Sequence, residues 1–126
     1  MKNAIISIII FFFLLIFIGF LNNSILNLCY NIDTQLNEIE TLLYNKDKNS
    51  SYEKSLELLT FLNKNDLITS IYVNHTDFDT IRYEATRLNI YISQDDDREA
   101  YASLNVIKQQ TKTIKHLQKI GIHNIF

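Results

Sequence analysis

The chain has 126 residues, with 14 Asp and Glu against 12 Lys and Arg and a formal net charge of -2. This balance argues against nucleic acid as a partner, because nucleic-acid-binding domains usually carry a basic surface. The single cysteine, Cys29, excludes an intramolecular disulfide. The sequence contains no proline, which favours long helices.

Residues 4–21 are eighteen consecutive residues without a charge, and fifteen of them are Ile, Leu or Phe. Near the bilayer centre these side chains favour insertion by roughly -5 to -9 kcal/mol in total. As a helix the segment is about 27 Å long, which matches the hydrocarbon thickness of a membrane. The sequence therefore predicts a transmembrane helix over residues 4–21.

A cleaved signal peptide is the competing interpretation of this segment. Signal peptides have a shorter apolar region followed by small residues at a cleavage site, a pattern that is missing after Leu21. We therefore expect an uncleaved single-pass anchor in the cytoplasmic membrane. Lys2 is the basic residue before the span, so the positive-inside rule places residues 1–3 in the cytoplasm and residues 22–126 outside.

Residues 24–45 predict an amphipathic helix with a seam close to the coiled-coil period. Its apolar positions are Ile25, Leu28, Cys29, Ile32, Leu36, Ile39, Leu42 and Leu43. No breaker separates this helix from the span, so the two can form one continuous rod, with Asn22, Asn23 and Ser24 at the level of the lipid headgroups. Cys29 is expected to be a small buried thiol, and Asp33, Glu38 and Glu40 form the outward face.

Residues 46–51 are a polar interruption. Ser50 and Glu53 fit a capping box, so a second helix should begin near Ser51. A further polar stretch, residues 63–66, favours a break or kink, although residues 51–93 can also form one long helix. Beyond it, the apolar stripe from Leu67 to Ile92 predicts a third helix that ends near Ser93.

Residues 94–97 predict another turn, after which Asp96 and Glu99 form a second capping box. The last helix should fade near Gly121, and residues 121–126 should pack on the bundle or on the membrane surface. The predicted inner face of this helix consists of Ala100, Leu104, Ile107, Ile114 and Leu117.

Two sets of polar residues are candidates for a site. His75 and Asp79 lie one helical turn apart, and in an antiparallel hairpin His116 would lie level with His75. However, His116 is rotated roughly 160° and Asp79 roughly 130° from the apolar stripe of their own helices. We therefore expect a boundary polar pair of His75 and Asp79, without a metal ion.

The second set is a basic ridge on the last helix. Its members occupy positions i, i+4, i+7 and i+11, and they are Lys108, Lys112, Lys115 and Lys119. A ridge of this kind can bind anionic lipid or an acidic partner, or it can be a solvated face with the acidic first helix as its intramolecular counterpart. Motifs for nucleophilic catalysis, phosphate loops and metal ligation are missing, so we expect no enzyme activity and no cofactor.

These features together resemble the family catalogued as domain of unknown function 4363. The resemblance rests on the third predicted helix with its stretch His75-Thr76-Asp77-Phe78-Asp79, the restart at residues 95–100 and the closing Asn124-Ile125-Phe126. It implies a small protein of spore-forming Gram-positive bacteria, with an N-terminal membrane anchor and a helical remainder. It also implies a multi-pass membrane protein as a partner, and it implies no catalytic residues.

The expected fold class is all-α, with an N-terminal transmembrane helix followed by an antiparallel three- or four-helix bundle. The leading functional hypothesis is a non-enzymatic interaction or accessory subunit that docks to a membrane partner or to itself, because self-association would bury more of a thin core. The alternative is an extracytoplasmic helical domain that senses a small ligand or an ion.

Overall fold

The first helix, α1 (Lys2–Tyr44), is continuous over 43 residues in a computed structural model of the chain. The model describes the backbone of residues 1–72 and 75–125, and the side chains of residues 1–69 and 76–120. Within that part of the chain the remaining helices are α2 (Lys48–Lys64), α3 (Asp66–Tyr72), α4 (His75–Ser93) and α5 (Asp97–Ile125). The all-α prediction is confirmed.

The two ends of α1 have different surroundings. Among the described residues, α1 is the one helix long and apolar enough to cross a membrane, and its apolar window is exposed on all sides. From Leu21 onward, one face of the same helix is buried. The predicted continuous rod is therefore confirmed, because nothing between the two halves interrupts the backbone hydrogen bonds.

Asn22, which was predicted to lie at the headgroup level, is packed inside the protein. The residue is only 1% exposed, and among the described residues its amide nitrogen has no hydrogen-bond partner. Asn22 lies three residues before Ile25 and seven before Cys29, so it shares their face of the helix. Tertiary packing therefore covers it although its side chain is polar.

The first turn differs from its prediction. Helix α2 begins at Lys48, and its N-cap is Asp47, whose carboxylate accepts from the backbone N–H of Ser50 at 3.2 Å. The predicted capping box on Ser50 is therefore wrong. Asp47 takes the position because the chain leaves α1 through Lys46 in a left-handed conformation, with φ of 61°, and turns into α2 three residues earlier than predicted.

The middle of the chain contains the predicted break, which separates α2 from α3. Helix α2 ends at Lys64 with Asn65 as its C-cap, so the expected interruption at residues 63–66 exists. On the stretch from Leu67 to Ser93, where a single third helix was predicted, the structure describes α3 and α4. Residues 73 and 74 lie outside the described part.

The second turn matches half of its predicted capping box, because the backbone N–H of Asp96 donates to the carbonyl of Tyr91 and not to Glu99. Asp96 accepts from the backbone N–H of Glu99 at 3.3 Å and caps α5. Two expectations for α5 are wrong: the helix continues past Gly121 to Ile125, and the Leu117 side chain is 53% exposed. A single glycine costs a helix only about 1 kcal/mol. Residues 121–126 were predicted to pack on the bundle or on the membrane surface, and their side chains lie outside the described part of the chain.

Four long segments pack as antiparallel neighbours. Helix α1 packs against α2 and α5, and α4 packs against α2 and α5, so α1 and α4 lie on opposite corners of a bundle. Their buried apolar side chains form one shared core, which consists of Ile25, Leu28, Cys29, Ile32, Leu36, Ile39, Leu43, Leu58, Leu62, Phe78, Ile81, Ala85, Leu88, Ile92, Ala100, Leu104, Ile107 and Ile114. The sequence predicted a bundle of three or four helices. In the described part of the chain, four long helices form the bundle, and α3 is a further short helix.

The bundle consists of two similar helical hairpins, α1–α2 and α4–α5. Each turn has one residue with a positive φ, Lys46 in the first and Asp95 in the second. In each turn an aspartate follows and caps the next helix, Asp47 or Asp96. The first turn follows the end of α1, and ion pairs join the second turn to it. Both turns therefore lie at the end of the bundle that is distant from the apolar half of α1.

Candidate interaction site

The seam between α1 and α5 brings the basic ridge against the acidic residues of α1. Lys108 pairs with Glu40, and Lys115 pairs with Asp33. Both pairs are partly buried, since the Lys115 and Asp33 side chains are 21% and 29% exposed. The predicted intramolecular counterpart of the ridge is therefore present for two of its four lysines.

Lys115 also makes a contact with an aromatic ring. Its Nζ lies 5.2 Å from the ring centroid of Tyr30, within the range of a cation–π interaction. Cys29 lies next to Tyr30 in α1 and is fully buried, as predicted. Burial and, to a smaller extent, the Asp33 carboxylate raise the pKa of the Cys29 thiol to about 12, although the Lys115 ammonium acts in the opposite direction. This thiol is therefore protonated and shielded at neutral pH.

The other two members of the ridge, Lys112 and Lys119, are exposed. Among the described side chains neither has an ion-pair partner. They are separated by seven residues, or about 10.5 Å along a helix axis. The ridge therefore presents two separate cations to solvent, not a continuous surface of four.

The predicted pair of His75 and Asp79 is only partly described. The His75 side chain lies outside the described side chains, whereas Asp79 is exposed and pairs with Arg82, which also pairs with Asp66 of α3. His116 is exposed on α5. Among the described residues no group of three or more His, Cys, Asp or Glu is placed to hold a metal ion.

The two turns carry opposite charges and are cross-linked by ion pairs that the sequence did not predict. Lys46 pairs with Asp97, and Lys48 pairs with Asp95, each at 2.9 Å. These side chains are well exposed, so the pairs add little stability in water. A cleft of about 210 Å³ lies between the two turns. The sequence feature that could have predicted these ion pairs is the contrast between the basic residues of the first turn and the acidic residues of the second turn.

A known protein family matches most of the chain. A family model described as "Domain of unknown function (DUF4363)" matches residues 19–125. No curated protein and no solved structure matches the chain significantly. The family match begins just before Leu21, the first buried residue of α1, and it extends to the last described residue of α5.

Proposed function

The chain belongs to the family of domain of unknown function 4363, and we propose that it is a single-pass membrane protein whose helical bundle serves as a non-enzymatic accessory subunit. The observation that carries this proposal is the continuity of α1. One helix includes both the exposed apolar segment and a quarter of the bundle. A bundle attached in this way is held at one height and one rotation relative to the membrane.

Retention of the anchor is part of the proposal. A signal sequence is also an apolar helix near an N-terminus, so length and composition alone do not separate the two. The continuity of α1 favours the anchor, because cleavage after the apolar run would cut inside a helix where Leu21 and Asn22 are already packed. Signal peptidase sites instead follow the apolar region with small residues.

The polar groups inside the bundle support a non-enzymatic role. The hydroxyls of Ser51, Ser55 and Thr111 donate to backbone carbonyls one turn earlier in their own helices. Ser55 also accepts from the side-chain amide of Asn89 at 2.7 Å, which joins α2 to α4, and the three hydroxyls hold the packing of the helices. A catalytic site needs several polar groups that converge on a reacting atom.

The experiment is purification of the affinity-tagged full-length protein from native membranes after mild crosslinking, with intact-mass analysis of the tagged chain. We expect the mass to include residues 4–21 and one multi-pass membrane protein to copurify in a fixed ratio. An unrelated tagged single-pass protein is the control. A chain that starts after Leu21 and elutes alone would overturn the proposal.

The orientation of the domain has its own test. In a Cys29→Ala background, Thr86→Cys on α4 should react with a membrane-impermeant maleimide in intact cells, because Thr86 is exposed on the bundle. Asn3→Cys, on the other side of the apolar segment, should react only after permeabilisation. The reverse pattern would place the bundle in the cytoplasm.

A further inference from the structure

One face of α1 stays exposed and uncharged along nearly the whole helix. We name it the outer α1 stripe, and its residues are Ile6, Ile9, Phe13, Ile16, Phe20, Asn23, Asn27, Tyr30, Thr34, Asn37, Thr41 and Tyr44. The intervals alternate strictly between three and four residues, which is the spacing of a left-handed coiled-coil seam. The stripe is apolar up to Phe20 and neutral polar beyond it, and it is about 57 Å long.

The charges beside the outer α1 stripe are already neutralised. Three acidic residues of α1, Asp33, Glu38 and Glu40, flank its upper half. Each pairs with a lysine of a neighbouring helix in the same chain, and these lysines are Lys115, Lys54 and Lys108 respectively. Two outer α1 stripes can therefore face each other without the like-charge repulsion that unpaired acidic residues would cause.

We propose that the outer α1 stripe is the dimer interface, and that its occupant is the same stripe of a second copy in parallel. The proposal rests on the proposed function, because two copies anchored in one membrane with one orientation must present α1 in parallel. The two-fold axis then runs along the membrane normal. Each stripe position meets its own counterpart across that axis, as in an isologous interface.

The polar residues of the stripe fit a second copy better than a charged partner. The side-chain amide of asparagine both donates and accepts, so Asn23, Asn27 and Asn37 can each hydrogen-bond to their own counterparts. A polar asparagine at a seam position specifies register and oligomeric state in parallel coiled coils. A charged partner would find no opposite charge anywhere on this stripe.

Disulfide formation in native membranes tests the interface in the full-length protein. In a Cys29→Ala background, Thr34→Cys on the stripe should form a disulfide-linked homodimer under mild copper-phenanthroline oxidation, read on a non-reducing gel. Thr86→Cys is the matched control, because Thr34 and Thr86 are both exposed and both hydroxyls donate to the carbonyl four residues earlier. It should stay monomeric, since α4 lies on the opposite corner of the bundle.

A second substitution separates a specific interface from random collision. Asn37→Lys places like charges together at the axis, and it should abolish the Thr34→Cys dimer, whereas Thr86→Lys should leave the dimer intact. Equal dimer from Thr34→Cys and Thr86→Cys, no dimer from either, or an adduct with a different protein would each overturn the proposal. Intact mass of the same samples shows whether the anchor is retained, so failure of the dimer and failure of anchoring are distinguishable.

Discussion

Lys112 and Lys115 lie on the same side of α5, yet they have different roles. Lys115 is partly buried between Asp33 and the ring of Tyr30, whereas Lys112 is exposed. A partly buried charge needs its partner, because loss of the partner leaves the remaining group desolvated and unpaired. The spacing of the lysines alone does not distinguish these two cases.

The first prediction compares these two lysines. Lys115→Glu should lower the free energy of unfolding by about 1–2 kcal/mol, because it places a second carboxylate beside Asp33. Lys112→Glu makes the same change of charge on an exposed surface, so its effect should stay within about 0.5 kcal/mol. Thermal unfolding of both variants in mild detergent, followed by circular dichroism, measures the difference.

A double variant provides the control for this prediction. Adding Asp33→Lys to Lys115→Glu restores an ion pair with the charges exchanged, and it should recover part of the lost stability. If Lys115→Glu and Lys112→Glu proved equally destabilising, the contribution of the Asp33 pair would be contradicted.

At the scale of the helices, the turns decide where each element begins. Both turns contain a residue with a positive φ, Lys46 or Asp95, followed directly by the capping aspartate. An N-cap carboxylate satisfies a backbone N–H that has no partner within the helix. The capping residue of α2 is therefore Asp47, although Ser50 has a suitable side chain and a glutamate three residues later.

The second prediction follows from this assignment. Asp47→Ala should destabilise the bundle by about 1 kcal/mol, because the N–H of Ser50 loses its acceptor. Ser50→Ala should change the stability by less than about 0.5 kcal/mol, since the backbone N–H of residue 50 remains. The same thermal measurement compares the two, and a larger loss for Ser50→Ala would contradict the assignment.

At the scale of the whole molecule, α1 links the apolar segment to the bundle as a single rigid element. Because consecutive helical residues are rotated by about 100°, the length of α1 sets which face of the bundle continues each face of the apolar segment. The outer α1 stripe extends across both halves for this reason. A change in length between the halves should therefore rotate one half of the stripe away from the other.

The third prediction uses that rotation. Two alanines inserted between Gly19 and Phe20 turn the bundle by about 200° relative to the apolar segment, and four alanines turn it by about 400°, which leaves only about 40°. We expect the Thr34→Cys disulfide to be lost with two alanines and largely kept with four. Equal crosslinking in both variants, measured on the same non-reducing gel, would show that the two halves are not rigidly coupled.

Much of the fold could be predicted from the sequence because it depends on local periodicity. The apolar stripes predicted α1, α2, α4 and most of α5, and the aspartate of the second turn predicted its cap. The start of α2 was misplaced, because Asp47 and Ser50 both have side chains that can cap a helix. Leu117 was misplaced because helical spacing does not show which flank a neighbouring helix covers.

The candidate site was predicted less completely than the fold. The spacing identified the basic ridge, but only the packing of α5 against α1 divides it into two paired and two exposed lysines. The ion pairs between the two turns join residues far apart in the chain. Pairs of this kind depend on which helices become neighbours, and that information is not contained in any one segment.

The sequence by itself determined the all-α class, the apolar helix over residues 4–21 and the buried Cys29, because hydrophobic periodicity and length act within one segment. The tertiary structure decided the burial of Asn22, the neutralisation of the acidic residues of α1 and the face of α1 that remains free. These three properties depend on which helices surround α1. The outer α1 stripe is uncharged because of its own residues, but it is free only because α2 and α5 pack on the other side of α1, where their lysines also neutralise the acidic residues beside the stripe.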